Sequence, residues 1–282
     1  MKRQKTNESV NKLYLVGTPI GNYDDMTIRA INTLKSVDLI YCEDTRITGQ
    51  LLNHFEIKTK MRSYNVITEE KETNEVIENL LAGKNIAIVS DAGMPSVSDP
   101  GFLACREAIR NDIDVCVVPG VSASLTALVS SGISARTFYF QGFLNSRHNQ
   151  RVKDLEALKE RKETIIIYEA PHRIKETLTD MLDVLGDRYI CLSRELTKKY
   201  EEHLRGNISE ILEVVDSLKG EMVIVVEGAK ETSVQIEFND KTVLEHFNYY
   251  LSQGFDEKEA MKKVAKDRGV SKSIIYQEIK RK

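Results

Sequence analysis

Three short stretches concentrate the residues able to shape a binding site. They are Gly17-Thr18-Pro19-Ile20-Gly21-Asn22, Ser90-Asp91-Ala92-Gly93-Met94-Pro95 and Pro119-Gly120-Val121-Ser122-Ala123. Glycine lets a backbone approach a ligand closely, and proline fixes the direction of approach. Residues 85–102, which contain the second stretch, hold two of the five prolines in the chain. Ser122 and Ala123 stand where a helix should begin, and the free N–H groups of a helix start suit a carboxylate or another oxygen. Any one of these turns could be a tight connection and nothing more. Three of them at one edge of a sheet point to a site, whose ligand class these spacings leave open.

The familiar alternatives are missing. The sequence has no GxGxxG of a dinucleotide site, no GxxxxGK[ST] of a P-loop and no HExxH metal pair. His54 and His172 are isolated, so no metal site is expected.

Strands and helices alternate in a way that would bring these turns together. Lys12–Val16, Leu39–Cys42, Ile86–Val89 and Val115–Val118 read as strands. Met26–Ser36 (capped by Thr27), Thr48–His54, Glu69–Ala82 and Phe102–Arg110 read as helices. This alternation predicts an α/β layer with a mostly parallel sheet, whose ligands bind beyond the carboxyl ends of the strands. After the break at Pro119-Gly120, a second α/β unit is expected. Its strands are Phe138–Gly142, Thr164–Tyr168, Tyr189–Leu192 and Met222–Glu227, and its helices Ser122–Ser131, Arg151–Glu160, Ile174–Leu185 and Ile208–Leu218. The expected domains are 12–118, 119–230 and a helical segment over 240–282, with a polar linker over 229–240.

Bulk properties narrow the class. The 282 residues are 41% hydrophobic and 29% charged, as in an ordinary globular protein. No apolar run is long enough to span a bilayer, and Met1–Asn11 lacks the apolar core of a signal peptide. Cys42, Cys105, Cys116 and Cys191 are scattered and read as reduced thiols, so a cytoplasmic protein is expected. The net charge of −3 opposes a strongly basic nucleic-acid binder, yet Lys258–Lys282 holds nine Lys and Arg against three acids. Lys2, Arg3, Lys5 and Lys12 add a basic start. Basic ends on a neutral body suit a polyanion that touches one face, or are simply solvated tails.

Seven blocks carry a resemblance when taken together. They are "LYLVGTPIGN" (13–22), "EDTRITGQLL" (43–52), "VSDAGMPSVSDPG" (89–101), "PGVSA" (119–123), "YEAPHR" (168–173), "RELTKKYEE" (194–202) and "GEMVIVVEG" (220–228). In this order they resemble the tetrapyrrole-methylase superfamily. They resemble most its ribosomal-RNA branch, which methylates a cytidine ribose 2′-oxygen in the decoding centre of 16S rRNA. One departure is "SYNVITEE" (63–70), where family members often carry a His- and Asn-rich stretch. That argues against a histidine role at this place.

The resemblance implies two α/β/α domains with a cofactor cleft between them, a small C-terminal helical segment and a homodimer. It also implies S-adenosyl-L-methionine as methyl donor and the small ribosomal subunit as partner. Asp91 would accept hydrogen bonds from the donor, Gly93 and Met94 would pass their backbone against it, and Pro95 and Val97 would wall the pocket. Ile20 would cover it, Ser122 and Ala123 would add polar contacts, and Tyr168, Leu192 and Met222 would close over the adenine. A tetrapyrrole or protein substrate on the same fold, or a non-catalytic ribosome-binding protein, are the competing readings.

A ribose hydroxyl is a weak acid, so a base or a positive field should assist its attack. Glu43, Asp44, Arg46, His172, Arg173, Glu195 and Lys198 are the candidates, although an Arg beside acids is often only an ion pair that fixes a loop. Glu195 or Lys198 is expected at the hydroxyl, and Arg46 and Arg173 on RNA phosphate. In the C-terminal segment, Ala260, Val264 and Ala265 share one helix face, Gly269 makes a turn, and Ile274, Ile275 and Ile279 follow on a second helix. That spacing is helix-turn-helix-like, and Lys262, Lys263 and Lys272 would contact RNA, or the segment is a small helical pack against the body.

Overall fold

The computed structural model describes residue 4, residues 11–230, residue 238 and residues 241–280. Lys2, Arg3 and Lys5, most of the linker expected over 229–240, and Arg281 and Lys282 lie outside the described residues.

Strands β1 (Lys12–Val16), β2 (Leu39–Cys42), β3 (Met61–Ser63), β4 (Ile86–Val89) and β5 (Asp114–Val118) form one sheet in the order β3-β2-β4-β1-β5. Every neighbouring pair in it is parallel. Helices α1 (Ile28–Ser36), α2 (Thr45–His54), α3 (Glu69–Leu81) and α4 (Phe102–Arg110) connect the strands. Successive side chains alternate between the two faces. Leu13, Leu15, Ile86 and Ile88 pack on Val76 and Leu80 of α3 and Ala104 and Ala108 of α4. Val16, Ile40, Ala87 and Val89 pack on Ala30 and Leu34 of α1 and Leu52 of α2. A sheet covered on both faces reads as a continuous apolar run, which is why "IAIV" of β4 is buried throughout.

The caps explain where these helices start. The Thr27 side chain accepts from the Ala30 N–H, and Asp44 accepts from the Arg46 N–H. The cap at Asp44 places α2 three residues earlier than the apolar spacing alone suggests, so "EDTR" is a helix start.

Helix α5 (Ala123–Ser131) leads into the second sheet, β6 (Phe138–Phe143), β7 (Thr164–Glu169), β8 (Tyr189–Arg194), β9 (Glu202–Asn207) and β10 (Met222–Val226), in the order β6-β7-β10-β8-β9. Only β6 and β7 pair in parallel; the other three pairs are antiparallel. The short connection from β8 to β9 permits a hairpin, whereas parallel neighbours need a long crossover. Helices α6 (His148–Leu158), α7 (Ile174–Leu185) and α8 (Ile208–Leu212) cover one face through Leu155, Leu178 and Ile208. Helix α5 covers the other through Ala127 and Leu128. The helix expected over 208–218 stops at Leu212, and a short 3-10 turn follows at Val215–Ser217.

Three further helices, α9 (Val243–Ser252), α10 (Glu257–Asp267) and α11 (Lys272–Lys280), close on a core of their own made by Phe247, Tyr250, Ala260, Val264 and Ile275. Gly269, with φ of 63°, turns the chain between α10 and α11.

Candidate active site

The carboxyl ends of β1, β4 and β5 lie side by side, and the three glycine- and proline-rich turns leave from them. The Gly17 N–H donates to the Val118 carbonyl at 3.0 Å. Thr18 and Gly93 exchange backbone hydrogen bonds of 2.9 and 3.1 Å, and the Thr18 hydroxyl donates to the Ser90 carbonyl at 3.1 Å. Gly17 must be glycine because the turns cross here. A Cβ on it would stand 2.7 Å from both the Gly120 nitrogen and the Met94 sulfur.

The turns after β1 and β4 form one wall of a cleft of about 370 Å³ between the two sheets. Ile20, Asp91, Gly93, Met94 and Val97 line it from the first sheet's side. Ser122, Ala123, Tyr168, Lys198 and Met222 line it from the other. Met222 reaches the cleft because β10 runs antiparallel to β7, so its first residue sits beside Glu169 at the end of that strand. The Ser124 N–H donates to the Tyr168 hydroxyl at 3.1 Å. The N–H groups of Ser122 and Ala123, one step earlier at the start of α5, have no partner among the described residues.

The cleft is electrically two-sided. Asp91 Oδ1 accepts from the Asp44 N–H at 3.0 Å, which ties the turn after β4 to the start of α2. Asp99 lines the cleft a few residues further on. Burial, and then the Glu43 charge, lifts its carboxyl to about 6, while the Ser90 hydroxyl offsets part of the rise. Glu43 and Asp91 are raised too, first by burial and then by neighbouring carboxylates. Opposite stands Lys198, whose Nζ donates to Glu195 Oε1 at 3.0 Å and to Glu221 Oε2 at 3.2 Å. Burial pulls this ammonium down, but the two glutamates outweigh it and the net direction is upward. The loops around the cleft are strained: Ser96, Ser98, Glu195 and Thr197 all have positive φ, a conformation uncommon for non-glycine residues. No group of three His, Cys, Asp or Glu side chains able to hold a metal ion occurs among the described residues.

Residues 12–212 match the Tetrapyrrole (Corrin/Porphyrin) Methylases family. The chain belongs to this family. Among its relatives, "Ribosomal RNA small subunit methyltransferase I" of Bacillus subtilis (strain 168) is 51% identical over 269 residues, covering 94% of this chain and 92% of the relative. The protein of the same name from Halalkalibacterium halodurans is 47% identical, covering 94% and 93%. Among solved structures, a uroporphyrin-III-C-methyltransferase from Thermus thermophilus superposes with a TM-score of 0.56 at 21% identity, over 77% of this chain and 94% of that one. A diphthine synthase does so with 0.58 at 11% identity, over 77% and 89%. At these identities the superpositions show a shared methylase fold.

Three residues expected at the methylase cleft or on RNA lie elsewhere. Leu192 is fully buried against α6–α8, on the face of the second sheet away from α5, because strand alternation turns it there. Arg173 is committed to a buried ion pair: its Nε and Nη2 donate to Glu169 Oε1 at 2.8 and 2.6 Å. Thr177 satisfies the second oxygen of Glu169 at 2.6 Å. A guanidinium so engaged holds the loop after β7 and is a poor phosphate contact. Arg46, by contrast, has a side chain 88% exposed and rests only on Asp44. Glu195 does not line the cleft; it lies behind Lys198. Lys262 is exposed, Lys272 is half-buried, and Lys263 Nζ lies 4.4 Å from the Phe255 ring centroid. Asp99 and Glu221 are cleft residues that residue types and spacing do not single out. For Asp99 a signal is present, since it shares the glycine- and proline-rich block with Asp91.

Proposed function

We propose that this chain is an S-adenosyl-L-methionine-dependent methyltransferase that modifies the 2′-oxygen of a cytidine ribose in the decoding centre of 16S rRNA. The observation that carries the reading is the cleft itself, with hydrogen-bonding turns on one side and the Lys198 ammonium on the other. Relatives of the same span named as small-subunit rRNA methyltransferases support the choice of substrate.

The residues present fit the donor. Asp91 offers a carboxylate acceptor, and Ser122 and Ala123 offer N–H donors for a carboxylate or ring nitrogen. Ile20, Met94, Val97 and Met222 supply apolar walls, and Tyr168 an aromatic one. At Gly93 (φ of 81°) a Cβ would fill the cradle, 3.4 Å from the Ile20 side chain. The volume lies within the usual range for small-ligand sites, on the order of 300–1,000 Å³. Bound there, the donor supplies a methyl group already activated by its sulfonium charge.

The work left to the protein is alignment and electrostatics. Lys198 presents a permanent positive charge to an oxygen that becomes more negative as it attacks. Glu195 and Glu221 hold that ammonium in place. The exposed Arg46 at the start of α2, with Lys262, Lys263 and Lys272 on the helical segment, would grip RNA phosphates. The reading includes a homodimer acting in the cytoplasm. Val129 and Leu125, 80% and 47% exposed on neighbouring turns of α5, offer an apolar surface that a second copy would cover.

Mass spectrometry of small-subunit rRNA from cells with and without this protein tests the reading. A ribose methyl on a decoding-centre cytidine should disappear in the deletion and return on complementation. Identical rRNA in both strains would overturn it.

A further inference from the structure

The proposed reaction needs a proton acceptor, and the cleft holds few groups that could serve. Tyr168, Glu169, Asp91, Asp99, Lys198 and Glu221 are its titratable lining residues. Glu169 is engaged in a buried ion pair, since Arg173 and the Ala170 N–H donate to one oxygen and Thr177 to the other. The Tyr168 hydroxyl already accepts from the Ser124 N–H. Asp91 is bound by the Asp44 N–H and belongs to the turn that would hold the donor. Lys198 is kept as an ammonium by Glu195 and Glu221, so it has no lone pair to offer. Glu221, with a side chain 81% exposed, is paired to Lys198. Asp99 remains. It is half-buried, faces the cleft, and forms no ion pair among the described residues.

We propose that Asp99, set on the turn after β4 with Glu43 beside it, is the catalytic base that takes the proton of the attacking hydroxyl. This rests on the methyltransferase reading above and replaces Glu195 as the proton acceptor. The hydroxyl oxygen forms a bond to the methyl carbon while the carbon–sulfur bond breaks, its electron pair staying on sulfur, which becomes a neutral thioether. The hydroxyl proton passes to the Asp99 carboxylate and from there to water once the product has left. Lys198 steadies the oxygen from the opposite wall, so one lobe supplies the base and the other the positive field.

The basicity of Asp99 suits the task. Burial and the Glu43 charge bring its carboxyl to about 6, high enough to draw a proton and low enough to be ionised at neutral pH. The groups that set this value face it from two places. Glu43 stands on the loop after β2, and Ser90 and Asp91 at the end of β4. Lys198 and Glu221 line the same cleft from the second sheet's side.

The test is single-turnover methylation of small ribosomal subunits by the full chain between pH 5 and 8, with donor affinity measured separately by calorimetry. The wild-type rate should rise with pH through about 6 and then level. Asp99→Asn should lose about 100-fold in rate and its pH dependence, with donor affinity within twofold of wild type. Asp99→Glu should regain part of the rate with the inflection restored, and Glu43→Gln should move the inflection to lower pH. A readout without donor or RNA is the pH dependence of unfolding. Asp99→Asn should gain stability over wild type at pH 7 and lose that gain by pH 4, because a raised carboxyl pKa penalises the folded state only where the group ionises. Full activity in Asp99→Asn, or loss of donor binding in it, overturns the inference while leaving the function intact. A folded wild type that leaves the subunit unmethylated overturns both.

Discussion

Asp91 and Asp44 meet through a hydrogen bond: the backbone N–H of Asp44 donates to Asp91 Oδ1 at 3.0 Å. One carboxylate oxygen therefore fixes the turn after β4 against the start of α2, and the residue also lines the cleft. Asp91→Ala removes both the tether and the acceptor. A hydrogen bond to a charged group contributes roughly 1.5–3 kcal/mol, so donor affinity should fall about 10- to 100-fold by calorimetry. Asp91→Asn should lie between, since its amide oxygen still accepts from Asp44. Unchanged affinity in the alanine variant would place the donor elsewhere.

The crossing of Gly17 over Gly120 predicts a stability effect with no ligand involved. Beside the Met94 sulfur, the atoms in the way are Gly120 backbone at a crossing held by the bond from the Gly17 N–H to the Val118 carbonyl, so they cannot retreat cheaply. Gly17→Ala should cost about 1–3 kcal/mol, read as a lower urea midpoint at unchanged slope. Gly83→Ala is the control, because nothing lies within 4 Å of its added carbon. Its φ of 90° still strains any side chain, so a smaller loss is expected there.

What can be read in the amino-acid sequence follows from how local each cause is. The three turns are legible because glycine and proline advertise backbone shape directly. The central strands are legible because strands buried on both faces are continuous apolar runs. Strands β3 and β9 are not, because "MRS" and "EHLRGN" sit at sheet edges with their side chains largely towards solvent. Asp99 is hidden because its basicity comes from burial and from Glu43, which arrives from a different loop. Arg46 and Arg173 look alike in sequence, each near an acid. Only packing separates the exposed pair with Asp44 from the buried pair with Glu169.

That difference is testable at Arg173. Removing it strands the Glu169 carboxylate, whose side chain is 0% exposed. Loss of one partner of a buried pair typically costs about 3–5 kcal/mol. Arg173→Ala should show that loss in urea unfolding, and Arg173→Ala combined with Glu169→Gln should recover much of it. RNA affinity of the folded fraction should stay within twofold of wild type. A stable Arg173→Ala protein with weakened RNA binding would return this residue to the RNA interface.

Lys198 and Glu195 should separate by role. Lys198→Met removes the only cation lining the cleft among the described residues and should slow single-turnover methylation by about 100-fold. Glu195→Gln leaves Glu221 to hold the ammonium, so a loss below about tenfold is expected. Donor affinity should be unchanged in both. Full rates in both variants would remove Lys198 from the reaction.

The helical segment makes the last case, because charge and stability can be varied separately there. Its core is internal, built by Phe247, Tyr250, Ala260, Val264 and Ile275, so lysines on its outside can be changed without opening it. Lys262 is exposed and Lys272 half-buried, while the ammonium of Lys263 rests over Phe255 and contributes to packing as well as to charge. Neutralising all three to Gln should weaken small-subunit rRNA binding and lower the slope of log affinity against log salt by about 2, at roughly 0.7 for each single-strand phosphate that a lysine no longer neutralises. Lys263→Gln alone should also lower the unfolding midpoint slightly, whereas Lys262→Gln should not. Donor affinity should be the same in every variant, since the cleft lies between the two sheets. A triple variant with the wild-type salt slope would mean that this segment never meets the RNA backbone.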